Sequence, residues 1–178
     1  LPGLGDCMAW SADGRFLIIG GNFHQILELD VESGQMTTLA DYGTHTRVLC
    51  CSTDGNRVIS GHGDGSVRFW NRVDQSVKSL HLHETELRAL TLTADEKIGI
   101  SGDESGRQAM WFTDPAARIG ILHQPRRHAK HRYELSPQTV FCAGGGKMLR
   151  LSDGEGSNVL VRSWTLSPAP SSQVMPRF

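Results

Sequence analysis

An all-β fold assembled from one repeated four-stranded unit is what this sequence predicts, and three observations carry that expectation. Short apolar runs rich in β-branched and aromatic residues alternate along the chain with clusters of Gly, Asp, Ser and Pro. A turn cluster after the first run recurs as SADG (11–14), STDG (52–55), TADE (93–96) and SPQT (136–139), at steps of 41, 41 and 43 residues. The end of the third run recurs at Leu29, Trp70, Trp111 and Ser152, each step being 41 residues. Two independent markers that keep one period define a structural repeat.

Each unit divides in the same way. The first strand is CMAW (7–10), VLCC (48–51), LRALTL (87–92) and HRYEL (131–135). The second is RFLIIG (15–20), RVISG (57–61), KIGISG (97–102) and TVFCAG (139–144). The third is QILELD (25–30), SVRFWN (66–71), QAMWF (108–112) and KMLRLSD (147–153). The fourth is QMTTLA (35–40), SVKSLH (76–81), ARIGIL (117–122) and SNVLVR (157–162). The hairpin of the second unit, Val58 to Asn71, is the most regular. Its Asp64-Gly65 pair is a strong turn signal, and Gly61, Gly63 and Gly65 are expected to supply positive φ angles. No segment has the apolar stripe of a helix.

Four short strands per unit at this period predict a β-propeller in which each unit is one antiparallel blade. The blades span about 5–45, 46–86, 87–127 and 128–164 within a 1–164 domain. The segment 165–178, with three of the seven prolines, reads as a tail or linker. Propellers close with about four to eight blades. Four blades therefore predict a partial propeller, completed by further blades or by a second chain, with a four-bladed ring as the remaining arrangement. A start at Leu1 rather than Met fits the first of these.

Composition narrows the function classes. The net charge of −1 gives no general pull toward nucleic acid or anionic membranes. No apolar run approaches the length that crosses a bilayer, and no signal peptide is visible. Cys7, Cys50, Cys51 and Cys142 lack metal-site spacing and are expected to be reduced and mostly buried, in a cytoplasmic setting or a nuclear one.

Period, strand order and signature residues together resemble the WD-repeat family of β-propellers over about residues 5–164. The Trp-Asp pair that often closes the third strand in that family reads here Leu29-Asp30, Trp70-Asn71, Trp111-Phe112 and Ser152-Asp153. The resemblance implies a buried network of Trp, Ser/Thr, His and Asp in a blade. Ser60, Asp64 and Trp70 fall at such positions in the second unit, where Tyr42 takes the histidine slot and His45 is the nearest substitute. In the third unit His83, Ser101 and Trp111 match, with Ser105 in the Asp slot. The resemblance also implies a non-catalytic scaffold that binds other proteins through the top-face loops. Its expected contact residues are His45, Arg47, His62, Glu86, Arg88, Glu104, Arg126, Arg127 and Arg132.

Other chemistry is thinly supported. His81 and His83 stand two apart, as a metal pair on a strand would, but further ligands are not evident and no metal or cofactor is expected. The run AGGGK (143–147) lacks phosphate-loop spacing and sits between strands. No nucleophile elbow occurs, so an enzyme is not expected; Asp103 and Glu104 read as rim residues. The basic run HQPRRHAKHR (123–132) offers the alternative function, a phospho-ligand or nucleic-acid grip through the 126–132 loop. Only Tyr133 supplies a neighbouring aromatic, which disfavours nucleic acid.

Overall fold

The computed structural model describes residues 2–93, 95–123, 139–141, 147–153 and 159–165. The first sheet holds β1 (Gly5–Trp10), β2 (Phe16–Gly21), β3 (Gln25–Asp30) and β4 (Met36–Asp41). The second holds β5 (Thr46–Cys51), β6 (Arg57–His62), β7 (Ser66–Asn71) and β8 (Val77–His81). The third holds β9 (Leu87–Leu92), β10 (Ile98–Asp103), β11 (Gln108–Thr113) and β12 (Ala116–His123). Every pair in them is antiparallel and in sequence order. A further sheet of β13 (Thr139–Phe141), β14 (Lys147–Asp153) and β15 (Val159–Thr165) shows three strands.

The architecture is thus all-β and free of helix among the described residues, with three sheets of four strands rather than the four expected. The expected strand HRYEL (131–135) lies outside the described residues, as do AGGGK up to Gly146, the 126–132 loop, Cys142 and the tail beyond Thr165. No helix among the described residues is long and apolar enough to cross a membrane. The first strands begin earlier than the apolar runs suggested. Register shifts between Gly5 and Cys7 and between Thr46 and Val48 let each strand continue past a local irregularity.

The repeating turn marker has a direct cause. Ser11 Oγ donates to Asp13 at 2.6 Å, Ser52 Oγ to Asp54 at 2.5 Å and Thr93 Oγ1 to Asp95 at 2.6 Å. The same carboxylates accept the amides of Arg15, Asn56 and Lys97. Each turn is closed by its own side chains, which is why these residue types recur.

The cores lie between sheets. Ile18 and Ile26 of the first sheet pack with Val58 and Trp70 of the second, with Leu49 and Cys51 against them. Ile59, Val67 and Phe69 of the second pack with Leu87, Ala109 and Trp111 of the third, with Leu90 and Leu92 against them. Trp111 meets Phe69 edge-on at a centroid distance of 5.2 Å. The first strands β1, β5 and β9 are neighbours, so the sheets stack face to face around them. Of the three hairpin glycines, only Gly65 has positive φ, at 81°. Gly61 serves a different need: a Cβ there would overlap Val48 and Leu87 on the neighbouring first strands.

Candidate functional site

Two polar systems occupy the end of the sheets where β6 and β10 finish. One is buried and one is exposed. The buried system of the third sheet is a chain of four side chains. Trp111 Nε1 donates to Ser101 Oγ at 3.2 Å, and Ser101 Oγ lies 2.7 Å from His83 Nε2. His83 Nδ1 lies 3.1 Å from Asp103, whose other oxygen accepts from Ser105 Oγ at 2.7 Å and from the Arg107 amide at 2.9 Å. A neutral imidazole with its proton on Nδ1 satisfies the whole chain. Burial alone would push the Asp103 carboxyl up, but the hydrogen bonds from His83, Ser105 and the Arg107 amide hold it below the usual carboxylate range.

This corrects two expectations. The Asp slot of the third sheet belongs to Asp103, not Ser105, because Ser101 and Asp103 stand two apart on β10 and share a face. Asp103 is accordingly interior, and of the pair Asp103 and Glu104 only Glu104 is exposed. The spacing of two along the strand was the signal that would have found it.

The second sheet carries a different set in the same four positions. Counting back 41 residues, Tyr42 replaces His83, Ser60 replaces Ser101, His62 replaces Asp103 and Trp70 replaces Trp111. Ser60 Oγ lies 2.8 Å from His62 Nε2. The Tyr42 ring stands edge-on to His62 at 5.0 Å, and the Arg68 guanidinium lies over Tyr42 at 4.7 Å. Three buried polar atoms here, Tyr42 Oη, Thr46 Oγ1 and His62 Nδ1, have no hydrogen-bond partner. His62 is 0 % exposed, so the expectation of an exposed contact residue at the turn tip is corrected. Burial, then the nearby Arg68 charge, lower its pKa to about 4, against partial opposition from Asp64 and a backbone carbonyl. Ser60, Asp64 and Trp70 are not joined to one another. Asp64 instead accepts from the Ser66 amide at 3.0 Å and from Arg68 at 2.7 Å, and Trp70 packs on the first sheet.

The exposed system runs across all three sheets. Arg47 bridges Asp6 at 2.8 Å and Glu86 at 3.1 Å. Arg88 bridges Glu86 at 3.1 Å and Glu104 at 3.4 Å, and Arg107 meets Glu84 at 3.4 Å. His45 stacks on His24 at 5.3 Å and touches Arg47 at 3.4 Å. Four expected contact residues, Arg47, Glu86, Arg88 and Glu104, therefore form one chain of alternating charge, with His45 beside it. Asp6, Glu84, Arg107 and His24 belong to it and were not singled out in the sequence, although Asp6, Arg47 and Arg88 recur at steps of 41. Arg126, Arg127 and Arg132 lie outside the described residues.

The remaining chemistry is inert. His81 is exposed while His83 is buried in the network above, so the two do not converge. No group of three or more His, Cys, Asp or Glu side chains among the described residues could hold a metal ion. Cys7, Cys50 and Cys51 are free thiols. Burial pushes Cys7 up to about 12 and Cys51 to about 11, and Cys50 is raised by burial too. Thiols held this far from ionisation are poor nucleophiles.

Residues 36–71 match the family model described as WD domain, G-beta repeat. Among curated relatives, telomerase protein component 1 of Rattus norvegicus is 28% identical over 161 residues, covering 80% of this chain and 6% of that protein. The U3 small nucleolar RNA-associated protein 15 homolog of Xenopus laevis is 21% identical over 147 residues, covering 82% of this chain and 27% of that protein. The chain thus spans about a quarter or less of the length of these two relatives. Among solved structures, a chain of the mitotic checkpoint complex aligns with a TM-score of 0.67 at 17% identity, covering 94% of this chain and 50% of that one.

Proposed function

The chain is a member of the WD-repeat family, and on that premise we propose that it is a non-catalytic scaffold that binds other proteins through the rim where the chain of alternating charges lies. The carrying observation is that chain itself, Asp6–Arg47–Glu86–Arg88–Glu104, which crosses three sheets on the exposed surface. Exposed ion pairs contribute little to stability, at about 0–1 kcal/mol each. What such a surface supplies is charge complementarity, which sets on-rate and partner choice. His45, Arg47, Glu86, Arg88 and Glu104 are the proposed contacts, joined by Arg126, Arg127 and Arg132 from the adjoining loop. His62 leaves the set because it is buried.

In this reading residues 1–164 are blades of a partial propeller and 165–178 a linker. The names of the two relatives, a telomerase component and a protein associated with a small nucleolar RNA, support a role as one part of a larger assembly in the nucleus or cytoplasm. The test compares partners recovered from cell extract by the wild-type chain, by an Arg88→Glu/Glu104→Arg variant and by an Arg15→Glu variant at the opposite end of the sheets. Loss confined to the rim variant is expected. Equal loss in both variants, or none in either, contradicts the reading. The alternative, a phosphate grip through 126–132, requires a steep fall of affinity with salt that Arg126→Ala/Arg127→Ala abolishes.

A further inference from the structure

The first sheet carries most of the large apolar side chains left exposed in the molecule. Leu4, Met8, Trp10, Val31 and Met36 all belong to it, with Met8 68% and Trp10 55% exposed. Met8 and Trp10 alternate on β1 with the more covered Cys7 and Ala9, so they share one face.

The repeat says what that face is for. One period on, Met8 and Trp10 correspond to Leu49 and Cys51, which pack against Ile18 and Ile26 of the preceding sheet. Two periods on they correspond to Leu90 and Leu92, which pack against the preceding sheet at Ile59, Val67 and Phe69. Val31 likewise corresponds to Arg72, which bridges back to Glu28 at 2.7 Å and lies over Phe16. The face of the first sheet is therefore a leading face of the same kind, with nothing before it. The covering positions also repeat. Ile18, Ile59 and Ile100 lead by the same step to Phe141, and Ile26, Val67 and Gln108 lead to Leu149. The last unit thus has apolar residues at the positions that cover a leading face.

We propose that the face of Met8 and Trp10 docks a second copy of this chain through that copy's last sheet, head to tail. The checkpoint-complex chain that shares the fold is about twice as long, since this chain covers 50% of it, so two copies supply the length of one such chain. A head-to-tail contact closes into a ring when its rotations complete a full turn. Two half-turn arcs meet that condition and bury both exposed ends. The proposal rests on the propeller reading above, but not on rim binding.

Sedimentation velocity of the 178-residue chain over a concentration series is the test. A discrete dimer is expected. Met8→Glu/Trp10→Glu should give monomer with an unchanged far-ultraviolet circular dichroism spectrum. Val73→Glu, at an exposed apolar residue off this face, should stay dimeric. If the double variant misfolds, Trp10→Ser replaces it and should raise the dimer dissociation constant about 30-fold or more, the scale of a buried aromatic anchor. A monomeric wild type, assemblies that grow without limit, or a dimer indifferent to both substitutions overturns the proposal. Arg88→Glu/Glu104→Arg should leave the dimer intact, so loss of rim binding and loss of dimerisation are read separately.

Discussion

The second and third sheets place four side chains at the same positions, 41 residues apart, and satisfy them differently. In the third, His83, Ser101, Asp103 and Trp111 form an unbroken chain of donors and acceptors. In the second, Tyr42, Ser60, His62 and Trp70 leave Tyr42 Oη and His62 Nδ1 unpaired. The exchange of a carboxylate for an imidazole decides this. Asp103 accepts three hydrogen bonds, whereas His62 offers one acceptor and one donor and uses only the Nε2 side. The same position is thus a structural anchor in one sheet and a buried neutral base in the next. A buried polar network is worth its burial only when every member is paired.

Breaking the complete network should have the largest effect. Asp103→Ala strands His83 Nδ1, Ser105 Oγ and the Arg107 amide, and should destabilise by about 3 kcal/mol in denaturant unfolding. A loss below 1 kcal/mol would mean that the network is not intact in solution.

The incomplete network should show itself through pH. The His62 pKa is lowered from 6.5 in the unfolded chain to about 4 in the fold. The unfolded state therefore takes up the proton first as pH falls. The contribution of His62 is fully present above pH 6.5 and declines between 6.5 and 4, by up to about 3 kcal/mol. The difference in stability between wild type and His62→Gln over that window isolates it. Asp103, with its pKa lowered, contributes only to loss at more acid pH and does not confuse the comparison.

Smaller effects sharpen the contrast. Tyr42→His combined with His62→Asp gives the second sheet the side chains of the third. It should be more stable than wild type by about 1–2 kcal/mol, and the two single variants should fall short of that sum. Tyr42→Phe removes an unpaired buried hydroxyl and should be neutral or stabilising by up to about 1 kcal/mol, provided the Arg68 contact on the ring survives. A clear loss would show that this hydroxyl has a partner.

Much of this was legible in the sequence, for physical reasons that also mark where legibility stopped. The 41-residue period located the sheets because each turn is closed by its own Ser or Thr and Asp, a local device that leaves a local mark. Trp111, Ser101 and His83 were found because their types and spacing repeat. Asp103 was missed by reading the Asp slot from the turn, at Asp64, rather than from the strand face shared by Ser101 and Asp103. The same misreading put His62 on the surface. The turn of the third sheet shows a different limit. Glu96 holds φ at 55° where Gly14 and Gly55 stand at 70°, a conformation a side chain resists. Its carboxylate offsets the strain by accepting from the Thr53 amide at 2.5 Å and from Arg57 at 3.2 Å on the neighbouring sheet. A bond between sheets has no signature along the chain, and the ladder of Asp6, Arg47 and Glu86 escaped for the same reason.

The division between an interior at the ends of β6 and β10 and a charged rim outside them underlies both the stability and the function assigned here. It is tested most directly by following the histidine ring resonances of the folded chain by NMR as pH is lowered. The account expects one resonance, assigned to His62 by its loss in His62→Gln, to remain in the neutral position down to about pH 4. A His62 that titrates near 6.5, as a solvent-exposed imidazole does, would return it to the surface and contradict the account.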